Sequence, residues 1–240
     1  MPASVLLRGA DLTGAEHAVA AAYDALRLAD RLFSTYRDDS EVMRLRRGEL
    51  AVVDANPLVQ QVLARCDEAR ERTDGWFDVD LPGGLDPSGL VKGWAVERSL
   101  AVLAELAGVD VCLNVGGDVA VRTEGEPFVV GIEDPHDRTG VVAAVPLAAG
   151  GLATSGTSAR GEHILDPRSG RPVASVASVS VTGPSLMWAD VFATAAFARG
   201  GGLDWVAGLP AYEAMVVGLD GTISSTDGWP GTATAAPVKP

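Results

Sequence analysis

Asp190 and Thr194 are the pair of residues whose types and spacing suit metal chemistry. They stand four positions apart in a stretch with helical spacing of apolar residues, so their side chains lie one above the other and point the same way. The pair presents two hard oxygens, which suit Mg²⁺ or Ca²⁺. Magnesium often takes one or two carboxylates and completes its octahedron with carbonyls, waters and substrate phosphates. The alternative is an Asp that stabilises its helix N-terminus by about 0.3 to 1 kcal/mol.

Three glycine-rich segments form a second set of candidates: Gly83-Gly84, Asn114-Val-Gly-Gly-Asp118 and Thr154-Ser-Gly-Thr157. Glycine lets backbone N–H groups approach phosphate oxygens without a Cβ in the way. None of the segments has the spacing of a dinucleotide-binding or Walker motif. We expect the second to connect two strands and the third to follow a strand, so each either binds phosphate or forms a tight turn.

His163 is the candidate general base. It lies in Arg160-Gly-Glu-His-Ile-Leu-Asp-Pro167, beside an apolar pair that is followed by a turn. Histidine titrates near neutral pH and can accept the proton of a hydroxyl nucleophile. The alternative is a histidine that is only hydrogen-bonded to its neighbours. His17, on a polar helix face, and His136, in an expected surface turn, suit the role less well.

Aromatic residues lie close in sequence to these candidates. They are Phe33 and Tyr36 in one segment and Trp76 and Phe77 in another. Flat aromatic faces stack on heteroaromatic rings, although core packing is the alternative for each of them. For Phe33 we expect core packing.

Four helices are expected to position these residues. Apolar spacing predicts them over residues 14–32, 54–73, 93–106 and 189–199. Asp54 is the expected cap of the second helix, and Gly108 follows the end of the third.

Short β-rich runs follow the third helix, with glycine or proline at almost every junction. They cover residues 109–115, 119–122, 128–132, 141–146, 173–181, 214–217 and 222–223. Because helices cluster before the strands, the pattern predicts an α+β layered fold, with helices packed on a mixed or antiparallel sheet. We expect a single domain over residues 1–226 and a loosely ordered tail over residues 227–240.

Composition restricts the class of partner and the compartment. The 240 residues are 47% hydrophobic and carry a net charge of −13, which repels polyanions and disfavours nucleic acid as a partner. No apolar run approaches the roughly 18 residues of a membrane span, and no leader is visible. We expect a cytoplasmic protein as the sequence stands, or an extracytoplasmic one if a leader was removed. Cys66 and Cys112 are expected to be buried structural thiols.

Taken in order, these motifs resemble those of the ApbE-like family of FAD:protein FMN transferases. The resemblance extends over residues 29–221. It rests on the stretches 33–41, 73–78, 86–94, 114–118, 153–156, 163–167 and 189–194.

The resemblance implies an enzyme that uses FAD as substrate together with Mg²⁺. A Thr or Ser hydroxyl of an acceptor flavoprotein would attack the flavin-side phosphorus, so that AMP leaves and FMN stays attached through a phosphoester. The magnesium ligands would be Asp190, Thr194 and the backbone carbonyl of Gly89, and we expect His163 to accept the proton. The implied FAD contacts are Tyr36, Trp76, Phe77, Asp78, Asp86, Lys92 and Leu165. A lysine such as Lys92 suits a pyrophosphate as a point charge.

Two positions depart from the family pattern. Seven residues separate Asp78 from Asp86, where many relatives carry a longer insertion. Ala193 stands where some relatives have another carboxylate, which disfavours a second metal position. The short link leaves open an FAD pyrophosphatase with water as acceptor, and a non-catalytic flavin carrier is a further alternative. The sequence does not define the acceptor protein or the oligomeric state.

Overall fold

The helices and strands are taken from a computed structural model that describes residues 1–157 and 164–233. The helices are α1 (Ala15–Phe33), α2 (Glu41–Arg46), α3 (Pro57–Arg72), α4 (Ser88–Leu103), α5 (Leu186–Ala198) and α6 (Leu203–Ala207). The strands are β1 (Ala3–Arg8), β2 (Asp80–Leu81), β3 (Gly84–Leu85), β4 (Asp110–Val115), β5 (Asp118–Arg122), β6 (Phe128–Glu133), β7 (Val141–Leu147), β8 (Ala149–Gly156), β9 (Ser178–Gly183), β10 (Glu213–Val217), β11 (Ile223–Ser225) and β12 (Thr232–Ala233).

The largest sheet has seven strands in the order β1-β4-β5-β8-β9-β10-β11, and every neighbouring pair is antiparallel. A smaller antiparallel sheet has the order β12-β7-β6, and β2 pairs with β3 as a hairpin. The predicted α+β fold with an antiparallel sheet is therefore confirmed.

The seven-stranded sheet separates two hydrophobic layers. Successive side chains of a strand point to opposite faces, and β5 shows the consequence. Ala120 packs in the core formed with the long helices, whereas Val119 and Val121 pack against the three-stranded sheet. Helices α4 and α5 thus cover one face of the large sheet, and the small sheet covers the other. Phe33 is 3% exposed and meets Trp94 edge-on in the helical layer, which confirms the expected core packing.

Two helix starts differ from the sequence prediction. The cap of α3 is Asn56, whose Oδ1 accepts a hydrogen bond from the Leu58 N–H, so the expected cap at Asp54 is wrong. Pro57 occupies the first helical position, where its missing N–H has no cost. Helix α4 begins at Ser88 rather than Gly93. Glycine disfavours helices by intrinsic propensity, so Gly89 and Gly93 give the first turns a loop-like sequence.

The strand prediction also needs corrections. Residues 154–156 belong to β8 instead of forming a loop after it, and β9 begins at Ser178 rather than at residue 173. Strand β1 and helix α2 were not predicted. β1 pairs with β4, about a hundred residues later in the chain, and local sequence carries little signal of such a pairing.

Both cysteines are free thiols in the structure. Cys66 is buried in α3, and burial raises its pKa to about 12, so its reactive thiolate is scarce at neutral pH. Cys112 is partly buried on β4, and burial raises its pKa as well.

The chain beyond residue 226 contributes β12, which pairs with β7. The division at residue 226 stays a prediction, and residues 234–240 lie outside the described part. Of the helices in the described ranges, none combines the length and apolar character that a bilayer crossing requires.

Candidate active site

The crossing of α4 and α5 brings the two backbones into direct contact. A Cβ added at Gly93 would lie 2.7 Å from the Met187 Cα and 2.9 Å from the Leu186 carbonyl oxygen. Such approach is possible only where a residue has no side chain. The Gly93 N–H also donates a 3.2 Å hydrogen bond to Asp190 Oδ2. The crossing therefore holds Asp190 against α4.

Gly89 and Thr194 meet one turn away from this contact. A Cβ on Gly89 would lie 3.6 Å from Thr194 Oγ1 and 3.2 Å from the Phe77 ring. Thr194 Oγ1 lies 3.1 Å from Ser155 Oγ, which projects from β8. The structure thus brings the three predicted magnesium ligands, Gly89, Asp190 and Thr194, to one place, and it adds a hydroxyl from the sheet.

Lys92 joins two buried carboxylates beside this group. Its Nζ lies 2.8 Å from Asp118 Oδ2 and 3.7 Å from Asp190 Oδ1. Asp118 is 1% exposed and Asp190 is 2% exposed. Burial of charge at this depth is tolerated only with partners. One ammonium and two carboxylates leave the cluster with an excess of negative charge when all three are ionised.

The pKa values of the two carboxyls reflect this excess. Burial raises the pKa of Asp118, and burial followed by the nearby Asp118 carboxylate raises the pKa of Asp190. The Lys92 ammonium opposes both pKa shifts. A cation bound at Asp190 would oppose the rise of its pKa in the same way, because an opposite charge favours the ionised carboxyl.

The donor set fits magnesium. One carboxylate, one threonine hydroxyl and one backbone carbonyl are hard oxygen ligands, and they leave positions for waters and substrate phosphates. Within residues 1–157 and 164–233, no three His, Cys, Asp or Glu side chains gather as a metal site. The expected set needs no such cluster, because it contains a single carboxylate.

The residues 76–78 connect this site to α3. Phe77 is 3% exposed and packs beside Gly89. Trp76 is only partly buried, and the guanidinium carbons of Arg168 and Arg199 lie 4.2 Å and 5.4 Å from its ring centroid. Asp78 forms a 3.1 Å ion pair with Arg70. Phe77 therefore lies against a predicted magnesium ligand.

Three other predicted FAD contacts, Tyr36, Asp86 and Leu165, are more exposed than the buried cluster. Asp86 Oδ1 accepts a 3.0 Å hydrogen bond from the Ser88 N–H at the start of α4. Tyr36 is 90% exposed, so its ring is not packed against the core. Leu165 is partly buried and bridges to Pro172. His163 lies outside the described residues.

Asp118 and Ser155 lie in the candidate site, although no individual role was predicted for them from the sequence. Both lie in glycine-rich segments that resemble family motifs. Side-chain alternation is the signal that points to them, because Asp118 shares a face of β5 with the helix-packed Ala120 and Ser155 shares a face of β8 with Ala153.

The sequence model of the ApbE family matches residues 3–83 and 80–216. The matched residues and the layered fold therefore define an α+β domain of the ApbE type. The chain belongs to the ApbE family.

Curated relatives match part of the chain. An FAD:protein FMN transferase of Rhodobacter capsulatus is 38% identical over 122 residues, which cover 46% of this chain and 23% of the relative. An FAD:protein FMN transferase of Salmonella typhimurium strain LT2 is 34% identical over 164 residues, which cover 57% of this chain and 47% of the relative. The chain thus spans less than half the length of both relatives.

Solved structures share the fold over nearly the whole chain. The ApbE protein of Thermotoga maritima has a TM-score of 0.83 at 20% identity, covering 94% of this chain and 93% of that protein. The flavin transferase ApbE of Vibrio cholerae has a TM-score of 0.70 at 19% identity and covers 98% of both chains. At these identities the likeness concerns the fold.

Proposed function

We propose that this chain is a magnesium-dependent FAD:protein FMN transferase, which attaches FMN to a Thr or Ser of a flavoprotein and releases AMP. The observation that carries the proposal is the convergence of Gly89, Lys92, Asp190 and Thr194 at the α4–α5 crossing. The names of the curated relatives support the same activity.

The proposed residue roles follow from the chemistry of the site. Asp190, Thr194 and the Gly89 carbonyl would hold Mg²⁺, which supplies positive charge for the pyrophosphate oxygens. The acceptor hydroxyl attacks the flavin-side phosphorus, and the bond from that phosphorus to the bridging oxygen breaks. AMP departs with the bridging oxygen and its electron pair. His163 accepts the hydroxyl proton, as general-base catalysis requires.

Flavin binding would use the surfaces around this site. Phe77 lies beside Gly89 and offers apolar contact, while Tyr36 and Trp76 carry partly or fully exposed rings that can stack on a flavin or adenine. Asp78, Asp86 and Leu165 complete the proposed FAD contacts. Lys92 adds positive charge near the pyrophosphate.

Mass spectrometry of an acceptor protein tests the transfer directly. The chain is incubated with FAD, MgCl₂ and a flavoprotein acceptor that has a reactive Thr or Ser, and the acceptor should gain the mass of FMN less one water. Asp190→Asn should abolish the gain, because it removes the proposed metal carboxylate. Asp67→Asn, at an exposed position of α3, is the matched control and should transfer normally. A fully active Asp190→Asn variant would overturn the proposal.

An FAD pyrophosphatase is the second candidate, with water in place of the acceptor hydroxyl. The specific observation in its favour is that the link between Asp78 and Asp86 contains only the short β2–β3 hairpin, so little chain covers this flank. Chromatography of reactions without acceptor distinguishes the two functions. Release of FMN and AMP at the rate of the acceptor reaction would favour hydrolysis, and intact FAD would favour transfer.

A further inference from the structure

Asp118 is a buried carboxylate to which the proposed reaction gives no role. It begins β5 directly after the Gly116-Gly117 turn and is 1% exposed. Alternation along β5 directs its side chain to the helix-facing side of the sheet, where Ala120 also packs. An ionisable group in such a place needs a compensating function or partner.

The sheet and α4 meet at this carboxylate. Asp118 Oδ1 accepts a hydrogen bond of 3.4 Å from the Thr154 N–H on the neighbouring strand β8. Asp118 Oδ2 lies 2.8 Å from Lys92 Nζ. A backbone N–H of the sheet therefore holds Asp118, and Asp118 in turn pairs with the ammonium of Lys92 on α4.

Lys92 also faces the proposed metal ligand. Its Nζ is 3.7 Å from Asp190 Oδ1, about one ångström farther than from Asp118. Lysine is a point charge on a flexible four-carbon stem, so the position of its ammonium depends on which carboxylate attracts it more. Without charge on Asp118, the ammonium is drawn toward Asp190, and an ammonium paired there would repel a divalent cation.

We propose that Asp118 is a positioning residue that holds the Lys92 ammonium closer to itself than to Asp190, so that the negative charge of Asp190 remains available to magnesium. The inference rests on the proposed function, since it takes Asp190 as a magnesium ligand. Asp118 and Lys92 neutralise each other, and the remaining charge of the cluster belongs to Asp190.

Metal titration of charge variants tests this role without relying on turnover. Mn²⁺ replaces Mg²⁺ as a probe, and the electron paramagnetic resonance signal of free Mn²⁺ gives its dissociation constant for the protein without FAD, so that the proposed contact of Lys92 with FAD does not enter the measurement. Asp118→Asn keeps the size of the side chain and removes its charge. It should weaken Mn²⁺ binding roughly 10- to 100-fold, the range typical of groups that support a metal ligand.

The double variant Asp118→Asn/Lys92→Met carries the decisive expectation. This variant has no ammonium that could pair with Asp190. Its Mn²⁺ dissociation constant should return to within about threefold of the wild-type value, because the residues at positions 92 and 118 together again carry no net charge. Lys92→Met alone should bind Mn²⁺ at least as tightly as the double variant, because it removes the ammonium and keeps the Asp118 carboxylate near the site. Asp110→Asn is the matched control: it removes an ion-paired carboxylate at the opposite end of the β4–β5 hairpin and should bind normally.

The outcomes separate this inference from the proposed function. Wild-type binding by Asp118→Asn would overturn the positioning role and leave the magnesium site intact. A double variant that binds Mn²⁺ at least tenfold more weakly than the wild type would also overturn it, because Asp118 would then act as a ligand or through the fold. That comparison stands even if Asp118→Asn alone fails to fold. If Asp190→Asn binds Mn²⁺ like the wild type, the proposed metal site and the positioning role fall together.

Discussion

Thr194 illustrates how a small polar residue becomes part of a site through its neighbours. Alone it is one hydroxyl on a very apolar helix, and nearly all the remaining side chains of α5 are buried. Its partners are Gly89 on α4 and Ser155 on β8, each within contact distance. The hydroxyl therefore lies where helix, helix and sheet meet, next to the buried Asp190.

Replacement of Thr194 by Val should affect metal binding more than folding. Val keeps the branched shape and loses the oxygen, so the half-saturating Mg²⁺ concentration for AMP release should rise about 10- to 100-fold, as for other losses in a metal's ligand environment. Thr194→Ser retains the oxygen and is the control. An unchanged magnesium dependence in Thr194→Val would remove this residue from the proposed ligand set.

At the scale of single residues, the sequence predicted the parts of the site that obey a local rule. Asp190 and Thr194 follow the four-residue helical repeat, and the structure places both on α5. Asp190 contacts Gly93 of α4, and Thr194 lies beside Gly89 of the same helix. For Asp118, side-chain alternation along β5 gives the face of the sheet but not the partner. Its partner Lys92 belongs to another element, and only the folded sheet reveals that the two charges meet.

The α4–α5 crossing is the element-scale feature on which the site depends. Gly93 gives the helices their close approach, and Gly89 continues that approach toward Thr194. The same glycines obscured the start of α4 in the sequence, because intrinsic propensity opposes glycine in a helix by about 1 kcal/mol. Tertiary packing overrides this local preference, so the helix begins five residues before the predicted position.

Gly93→Ala should destabilise the protein although alanine is the better helix former. Propensity alone would add about 1 kcal/mol of stability. The new Cβ would lie less than 3 Å from backbone atoms of Met187 and Leu186. Backbone atoms cannot move out of the way by a rotamer change, as the end of a flexible side chain can. The net effect should be a loss of about 1 to 3 kcal/mol in the free energy of unfolding, typical of overpacking.

Urea unfolding measures this change. Ala101→Gly, at an exposed position of the same helix, provides the reference for the glycine preference and should lower the unfolding free energy by about 1 kcal/mol. A Gly93→Ala variant more stable than the wild type would mean that the two helices separate easily.

For the whole molecule, the layered α+β class followed from the order of helices and strands, but the strand pairing did not. β1 pairs with β4, and β8 lies between β5 and β9 in the sheet. The local sequence of each strand does not indicate these partners. Residues 154–156 have the composition of a loop, but they form the end of β8 because they pair with residues 178–180 of β9. Such choices depend on neighbours distant in sequence.

Ligand binding should raise the melting temperature of the whole domain. A ligand at 100 times its dissociation constant stabilises the folded state by about 2.7 kcal/mol, which for a domain of this size corresponds to roughly 5 to 11 °C. FAD and Mg²⁺ together should produce a shift of this order at such concentrations. Differential scanning fluorimetry or calorimetry measures it.

The contribution of magnesium to that shift should depend on Asp190. In Asp190→Asn the additional rise on adding Mg²⁺ to the FAD-bound protein should disappear, while the exposed Asp67→Asn control should keep it. A magnesium-dependent rise that survives in Asp190→Asn would locate the metal elsewhere on the molecule.

The positions of the site residues along the chain have a consequence for biosynthesis. Gly89 and Lys92 leave the ribosome first, Asp118 and Ser155 follow, and Asp190 and Thr194 come after six strands that separate α4 from α5. Contacts between segments so far apart form late and slowly in folding. The proposed FAD binding should therefore appear only with the final phase of refolding, and flavin fluorescence would report a finished molecule rather than a collapsed intermediate.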